Sequence, residues 1–342
     1  MTEQAAGRNV LPRMMILGTG SAVPERELTN DDLSKLVDTS DAWIRERTGI
    51  AARRVVKKDE AASDLAAAAG LRACAAAGIS PQEIDCIICA TISADMTLPS
   101  CAVFVQRKVG AAAHCPAFDL AAACGGFLYG LAVAEGLLRS GQYRRILLCG
   151  VEVLSGYVNW QDRNTCILFG DGAGAAVLGL ADAAQQAGGR GVLSVHLYAD
   201  GNQAESLTIP GGGSLHPTSA QTLADGKHFI HMAGKVIFTH AVRNLASACQ
   251  AALKHQGLRP SDIDLVVAHQ ANLRIVEAVA QRLELPMEKF FINIDKYGNT
   301  SSASVPIALD EAVRAGRVRP GDRLLFCALG AGLAWGAACV RW

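Results

Sequence analysis

The sequence predicts an α/β protein built from layers of helix and sheet, with a core that is written twice. Three observations predict it. Gly78–Ile87 reads GISPQEIDCI and Gly257–Val266 reads GLRPSDIDLV, an offset of 179 residues between two copies of one pattern. An Ala-rich helical stretch precedes each copy and a β-branched run follows it, LAAAAGLRACAAAG before IDCIICAT and LASACQAALKHQG before IDLVVAHQ. Further on, Arg139-Ser140-Gly141 and Arg314-Ala315-Gly316 each end a helical pattern and lead into an apolar strand, ILLCG and LLFCALG, at an offset of 175. Strands alternating with helices, twice over, form stacked α/β layers.

Each element follows from its own pattern. CPAFDL (115–120) is strand-like and gives way to small residues, then to the helical GFLYGLAVAEGLL. Leu324–Val340 is uncharged but short for a membrane span, and its three glycines make it strand, turn, strand. Adding 175 to Cys124 gives Asn299, and each precedes an amphipathic helix. His269 follows the repeated strand of the second copy. The expected division is residues 1–180, with the cysteine, and 181–342, with the histidine and asparagine.

Composition narrows the function. Half the residues are hydrophobic but only 5% are aromatic. Lys plus Arg and Asp plus Glu are 32 each, so no net field draws in nucleic acid or an anionic membrane. The N-terminal MTEQAAGRNVLPRMM has no apolar core of leader length. A cytoplasmic protein with reduced thiols is expected, since the eleven cysteines are odd in number. Cys86 and Cys89 form one CxxC inside an apolar run, which fits buried strand cysteines and no metal site.

Cys124 in DLAAACGGF stands near a helix N-terminus, where free N–H groups and the dipole favour thiolate. Small neighbours give a bulky substrate access to the sulfur. Taken singly, Cys124 fits a buried core cysteine as well as a nucleophile. His269 fits a histidine satisfying local polar groups, and Asn299 a turn residue before a helix.

The sequence resembles the β-ketoacyl-acyl-carrier-protein synthase III family nearly end to end. The matching segments are TSDAWIRERTGI (39–50), AFDLAAACGGF (117–127), ILFGDGAGAAVL (167–178), AHQANLRI (268–275), GNTSSASVPIALDEAV (298–313) and GAGLAWGAACVRW (330–342). The resemblance implies the thiolase fold, a duplicated five-layer αβαβα core, in a homodimer. It implies Cys124, His269 and Asn299 as catalytic residues, with backbone N–H groups of Cys124 and Ala331 as oxyanion hole. It implies Trp43, Arg47, Arg163 and Asn272 at the CoA site, Arg274 at the carrier-protein contact, and Leu98 as gate of the acyl pocket. The implied reaction is decarboxylative condensation of an acyl-CoA with malonyl-acyl-carrier protein, initiating fatty acid biosynthesis. No cofactor is implied, since acyl-CoA is a substrate.

Other readings fit less well. A thiolase needs a second cysteine where Ala328 stands, and strand alternation turns Cys327 away. GTGSAV (18–23) and GDGAGA (170–175) lack the full dinucleotide fingerprint. A non-catalytic partner subunit would lack Cys124. The remaining alternative is a relative from secondary metabolism with a non-standard acceptor. Leu329 stands where the family has Phe, Ala331 where it has Gly, Thr239 where a carrier-binding Lys is common, and Tyr297 where His is usual.

Overall fold

A computed structural model describes residues 12–182, 184–185 and 188–342. Most of the N-terminal segment read above for a leader lies outside the described residues. The first sheet has five strands: β1 (Met14–Ala22), β2 (Cys86–Ala90), β3 (Ala117–Leu120), β4 (Arg145–Glu152) and β5 (Gly172–Leu180). Their spatial order is β1-β5-β4-β2-β3. The second sheet holds β6 (Gly191–Ala199), β7 (Leu265–Ala268), β8 (Arg323–Gly330) and β9 (Ala334–Arg341), in the order β7-β8-β9-β6. In the first sheet β3, β2 and β4 pair in parallel and β5 returns antiparallel to β4; in the second β7 and β8 pair in parallel and β9 returns antiparallel to β8. The counterpart of β3 in the second sheet is a single parallel bridge, Val266 to Phe290.

The repeat is visible at atomic detail. Gly78 and Gly257 both end helices with left-handed φ, 67° and 65°. A single turn of 3₁₀ helix follows each, at Pro81–Glu83 and Pro260–Asp262. Asp85 then accepts the Arg145 amide at 3.1 Å, and Asp264 accepts the Arg323 amide at 2.8 Å. Each aspartate thus ties the start of its strand to the neighbouring one.

The larger helices are α1 (Asp41–Thr48), which packs in a separate cluster through Ile44, and six that fill three layers: α2 (Ala62–Ala77), α3 (Cys101–Val109), α4 (Gly126–Arg139), α5 (Gly234–His255), α6 (Leu273–Arg282) and α7 (Ser304–Arg314). The strand period of two assigns the faces. On β4, Ile146 and Leu148 face inward, while Leu147, Cys149 and Val151 pack under α2 and α3. On β8, Leu324, Phe326 and Ala328 face inward, while Leu325, Cys327 and Leu329 join the outer core with α5 and α6. The inner faces of both sheets close on α4 and α7, through Phe127, Leu128, Leu131, Val305 and Leu309. Each such side chain contributes about 1.5–3 kcal/mol on burial. The result is the αβαβα thiolase fold. Gly20 of β1 permits part of it: a Cβ there would meet the Ala69 carbonyl at 2.3 Å, so glycine lets α2 lie directly on the strand.

Two expectations are refined. Cys86 and Cys89 point to opposite core clusters and cannot share a metal ion. The counterpart of Cys124 is Ser302, not Asn299. Ala123 (φ 45°) and Ser301 (φ 50°) open matching turns, and α4 and α7 start at 126 and 304, an offset of 178. The offset of 175 seen at the helix ends arises because α4 has 14 residues and α7 has 11.

Candidate active site

The turn carrying Cys124 (123–125) packs on the turn after Asn299 (301–303) and on the end of β8. Gly330 makes this approach possible, because a Cβ there would lie 2.5 Å from the Cys124 amide nitrogen. Ala331 follows, so the two amides expected to form the oxyanion hole come from adjoining segments. Cys124 and Ala331 line one cavity of about 440 Å³, with Ser301, Ile92, Leu154 and Phe169 among its walls.

His269 and Asn299 are not among the residues lining that cavity. His269 leaves the end of β7, and its backbone N–H donates to the Cys327 carbonyl on β8 at 2.8 Å. The next residue, Gln270, donates its amide to Ser304 at the start of α7 at 2.7 Å. His269 is 4% exposed, and its Nδ1 is buried with no hydrogen-bond partner among the described residues. Burial lowers its pKa to about 4, so the imidazole is neutral at pH 7. The Asn299 segment is fixed by bonds from its N–H to Leu168 and from Gly170 to its carbonyl.

Cys124 departs from one expectation. It is 7% exposed, and burial pushes its thiol up to about 12. The Ser301 hydroxyl favours the thiolate and Glu152 opposes it. Desolvation therefore works against the thiolate that the helix N-terminus favours.

The residues expected at the CoA site form one cluster. The Arg47 guanidinium lies 4.5 Å from the Trp43 ring centre and that of Arg163 lies 5.0 Å from it. Arg163 also donates to the Asp38 carbonyl at 2.8 Å. Asn272 caps α6 by accepting the Arg274 amide, and its Nδ2 donates to the Arg47 carbonyl at 3.1 Å. Trp43 packs on an apolar cluster containing Leu154, Phe169 and Ile230, which also line the cavity. Arg274 is exposed at the start of α6. Leu98 is 83% exposed, beside the cavity-lining Thr97.

The departures from family pattern are placed as well. Leu329 packs in the outer core with Leu333, away from the cavity walls. Thr239 bonds back to the Lys235 carbonyl of its own helix. Tyr297 donates to Glu311.

Three residues that sequence reasoning missed shape the site. Glu152 is fully buried at the end of β4 and accepts from Ser301 Oγ at 3.1 Å. Its one sequence signal is an acid closing the apolar run ILLCGVE. Ser301 lies beneath the cavity with left-handed φ, unmarked in a run of small residues. Arg53, also fully buried, donates to Asn30 Oδ1 at 2.9 Å and to the Ile167 carbonyl at 2.7 Å. It thereby holds the turn segment in which Phe169 makes an isolated bridge to Asn299.

Fold and site together define a thiolase-fold condensing enzyme of the acyltransferase class. The family model described as 3-oxoacyl-[acyl-carrier-protein (ACP)] synthase III matches residues 118–201, and its C-terminal counterpart matches 253–342. The β-ketoacyl-[acyl-carrier-protein] synthase III of Caldanaerobacter subterraneus subsp. tengcongensis is 49% identical over 96% of this chain and 97% of its own. The crystal structure of the synthase III from Thermus thermophilus superposes with a TM-score of 0.88 at 43% identity, covering 96% of this chain and 99% of that one. The priming β-ketosynthase of the R1128 polyketide pathway superposes with a TM-score of 0.86 at 34% identity, covering 98% of each. The chain belongs to the β-ketoacyl-acyl-carrier-protein synthase III family.

Proposed function

We propose that this enzyme condenses an acyl-CoA primer with malonyl-acyl-carrier protein and so starts fatty acid chains in the cytoplasm, as a homodimer and without a cofactor. The observation that carries this reading is that Cys124 and Ala331 line one cavity, with Gly330 packed against Cys124, His269 bonded to β8 beside them and Asn299 bonded to the cavity-lining Ser301. The first functional half is 1–180 and the second 181–342.

Cys124 Sγ attacks the acyl thioester carbon, and the oxyanion accepts the amides of Cys124 and Ala331. CoA leaves as its thiolate and the acyl group stays on sulfur. Malonyl thioester then loses carbon dioxide, and its enolate oxygen accepts one N–H from neutral His269 and one from Asn299 Nδ2. The enolate carbon attacks the acyl-cysteine carbonyl and releases the β-ketoacyl product. Trp43, Arg47 and Arg163 fit an adenine nucleotide, with the base entering where a guanidinium now covers the ring. Asn272 supports Arg47 in this role. Arg274 lies where an acidic carrier protein can dock, and Leu98 serves as the acyl-pocket gate across the dimer.

The test is exposure to labelled acetyl-CoA, mapping of the label by peptide mass spectrometry, then addition of labelled malonyl-carrier protein. Acyl-Cys124 followed by carbon dioxide release is expected. Label on another residue overturns the nucleophile. Loading without decarboxylation favours the secondary-metabolism alternative, which Thr239 and Tyr297 support by departing from the family pattern.

A further inference from the structure

We infer that Glu152 is a positioning residue: its buried carboxylate ties the Asn299 amide, through Ser301, to the cavity wall at Ile92. This rests on reading Asn299 as a donor to the malonyl thioester. Glu152 ends β4 and has no exposed surface. Its two oxygens serve two different segments. Oε1 accepts the Ser301 hydroxyl at 3.1 Å. Oε2 accepts the Ile92 amide at 3.2 Å, the Ser93 hydroxyl and, weakly, the Thr91 hydroxyl at 3.4 Å.

The Ser301 end acts on Asn299. Ser301 has a left-handed φ of 50°, which is costly for a residue with a Cβ and persists only where its surroundings hold it. In that conformation its backbone N–H donates to Asn299 Oδ1 at 2.9 Å. Glu152 grips the side chain of the same residue, so the carboxylate supports the conformation on which the Asn299 amide depends. Ser302 pins the far side of the turn by donating to the Ala90 carbonyl at 2.7 Å.

The other end acts on the wall. Ile92 lines the cavity with Cys124, and so does Leu154. Ser93 also accepts the Val153 amide at 2.8 Å, and its own amide donates to Thr91 Oγ1 at 3.1 Å. The loop after β2 and the residues after β4 are thus stitched together around one carboxylate. Hydrogen bonds do this, and the charge is dispensable. A glutamine can keep its oxygen on the Ile92 amide and aim its NH2 at the Ser301 hydroxyl, which accepts as well as donates. An alanine leaves the buried Ile92 amide without that partner and Ser301 without its support.

Four variants test this: Glu152→Gln, Glu152→Ala, Ser301→Ala, and Glu152→Ala combined with Asn299→Ala. Carbon dioxide release from labelled malonyl-carrier protein is measured beside acyl-enzyme mass. Glu152→Ala should slow decarboxylation roughly tenfold to a hundredfold in kcat at unchanged KM, since a small misplacement of a donor is enough. Loading of Cys124 should fall less. Glu152→Gln should retain most of the wild-type rate, and Ser301→Ala should resemble Glu152→Ala. In the Asn299→Ala background the Glu152 change should cost little more, because it acts through that residue. A Gln variant as slow as the Ala variant, or losses that multiply with Asn299→Ala, overturn the inference. If Glu152→Ala does not fold, Ser301→Ala takes its place. A crystal structure of Ser301→Ala reads the positioning whatever reaction the site performs. Residue 301 should leave its left-handed φ and the Asn299 amide should rotate; an unmoved amide overturns the inference. Wild type that never decarboxylates malonyl thioesters would instead overturn the reading beneath it, and the crystal structure would still decide this one.

Discussion

The side-chain oxygen of Asn299 accepts the Ser301 backbone N–H at 2.9 Å. That bond occupies the oxygen end of the amide and leaves Nδ2 for the donor role proposed above. Asn299→Ala removes that donor but keeps the strand bridge beside Phe169. Malonyl decarboxylation should fall roughly a hundredfold to a thousandfold. Loading of Cys124 should fall much less. Carbon dioxide release and acyl-enzyme mass, measured on the same sample, check the split; equal losses would contradict it.

Cys124→Ala should abolish acyl loading while the protein keeps its fold. The side chain is buried among Ala123, Gly125 and Gly330, so a smaller residue meets no clash. The check is intact mass after acetyl-CoA exposure beside a thermal melt.

Arg163→Ala should weaken acyl-CoA binding about tenfold at constant salt, through loss of a cation stacked over Trp43. Calorimetric titration with a non-hydrolysable acyl-CoA analogue measures it. Unchanged affinity would place the donor elsewhere.

Glu152 and His269 should oppose one another in pH-dependent stability. Burial raises Glu152 from 4.5 to about 7, so its contribution weakens as pH rises through that window. Burial lowers His269 from 6.5 to about 4, so its contribution weakens as pH falls through that window. Each amounts to about 3 kcal/mol at full extent. Denaturant midpoints at pH 5 and pH 7 should therefore differ little in wild type on their account. Glu152→Gln should shift the balance toward greater stability at pH 7, and His269→Gln toward greater stability at pH 5.

Arg53→Met should destabilise the fold by about 3 kcal/mol, because the Asn30 side chain and the Ile167 carbonyl lose a buried donor. Urea denaturation measures this. Condensation should fall further than the folded fraction does, since the bridge to Asn299 loses its support.

The layers are legible in the sequence because hydrophobic period and a repeated turn are local signals. The motif around Pro81 and Pro260 marks equivalent strands by its residues alone. Cys124, His269 and Asn299 enter as the proposed catalytic residues through resemblance, and none is compelling by its surroundings alone. Ser301 is hidden because left-handed backbone at a non-glycine residue leaves no mark in sequence. Glu152 is hidden because an acid after ILLCGV reads as a strand end, and its burial depends on Ser301, 149 residues away. The pairing of Cys124 with Asn299 by arithmetic fails because the second helix is shorter. The burial that raises the Cys124 pKa is not legible either, because helix position is local, whereas desolvation comes from the whole fold.

The helices behind Cys124 and Asn299 form one layer used by both sheets, so neither copy can open without exposing the other's apolar face. Amides in α4 and α7 are thus the ones expected to exchange with solvent last. The cavity above is different. Leu207, Thr208, Ile209, Gly211, Gly212 and Ile230 wall it from a segment outside the two sheets. That wall is itself anchored: Ile230 is buried in the cluster of Leu33, Ile44 and Phe169, with Leu207 and Ile209 packed against it. A substitution there therefore changes the shape of the cavity and the packing of that cluster together.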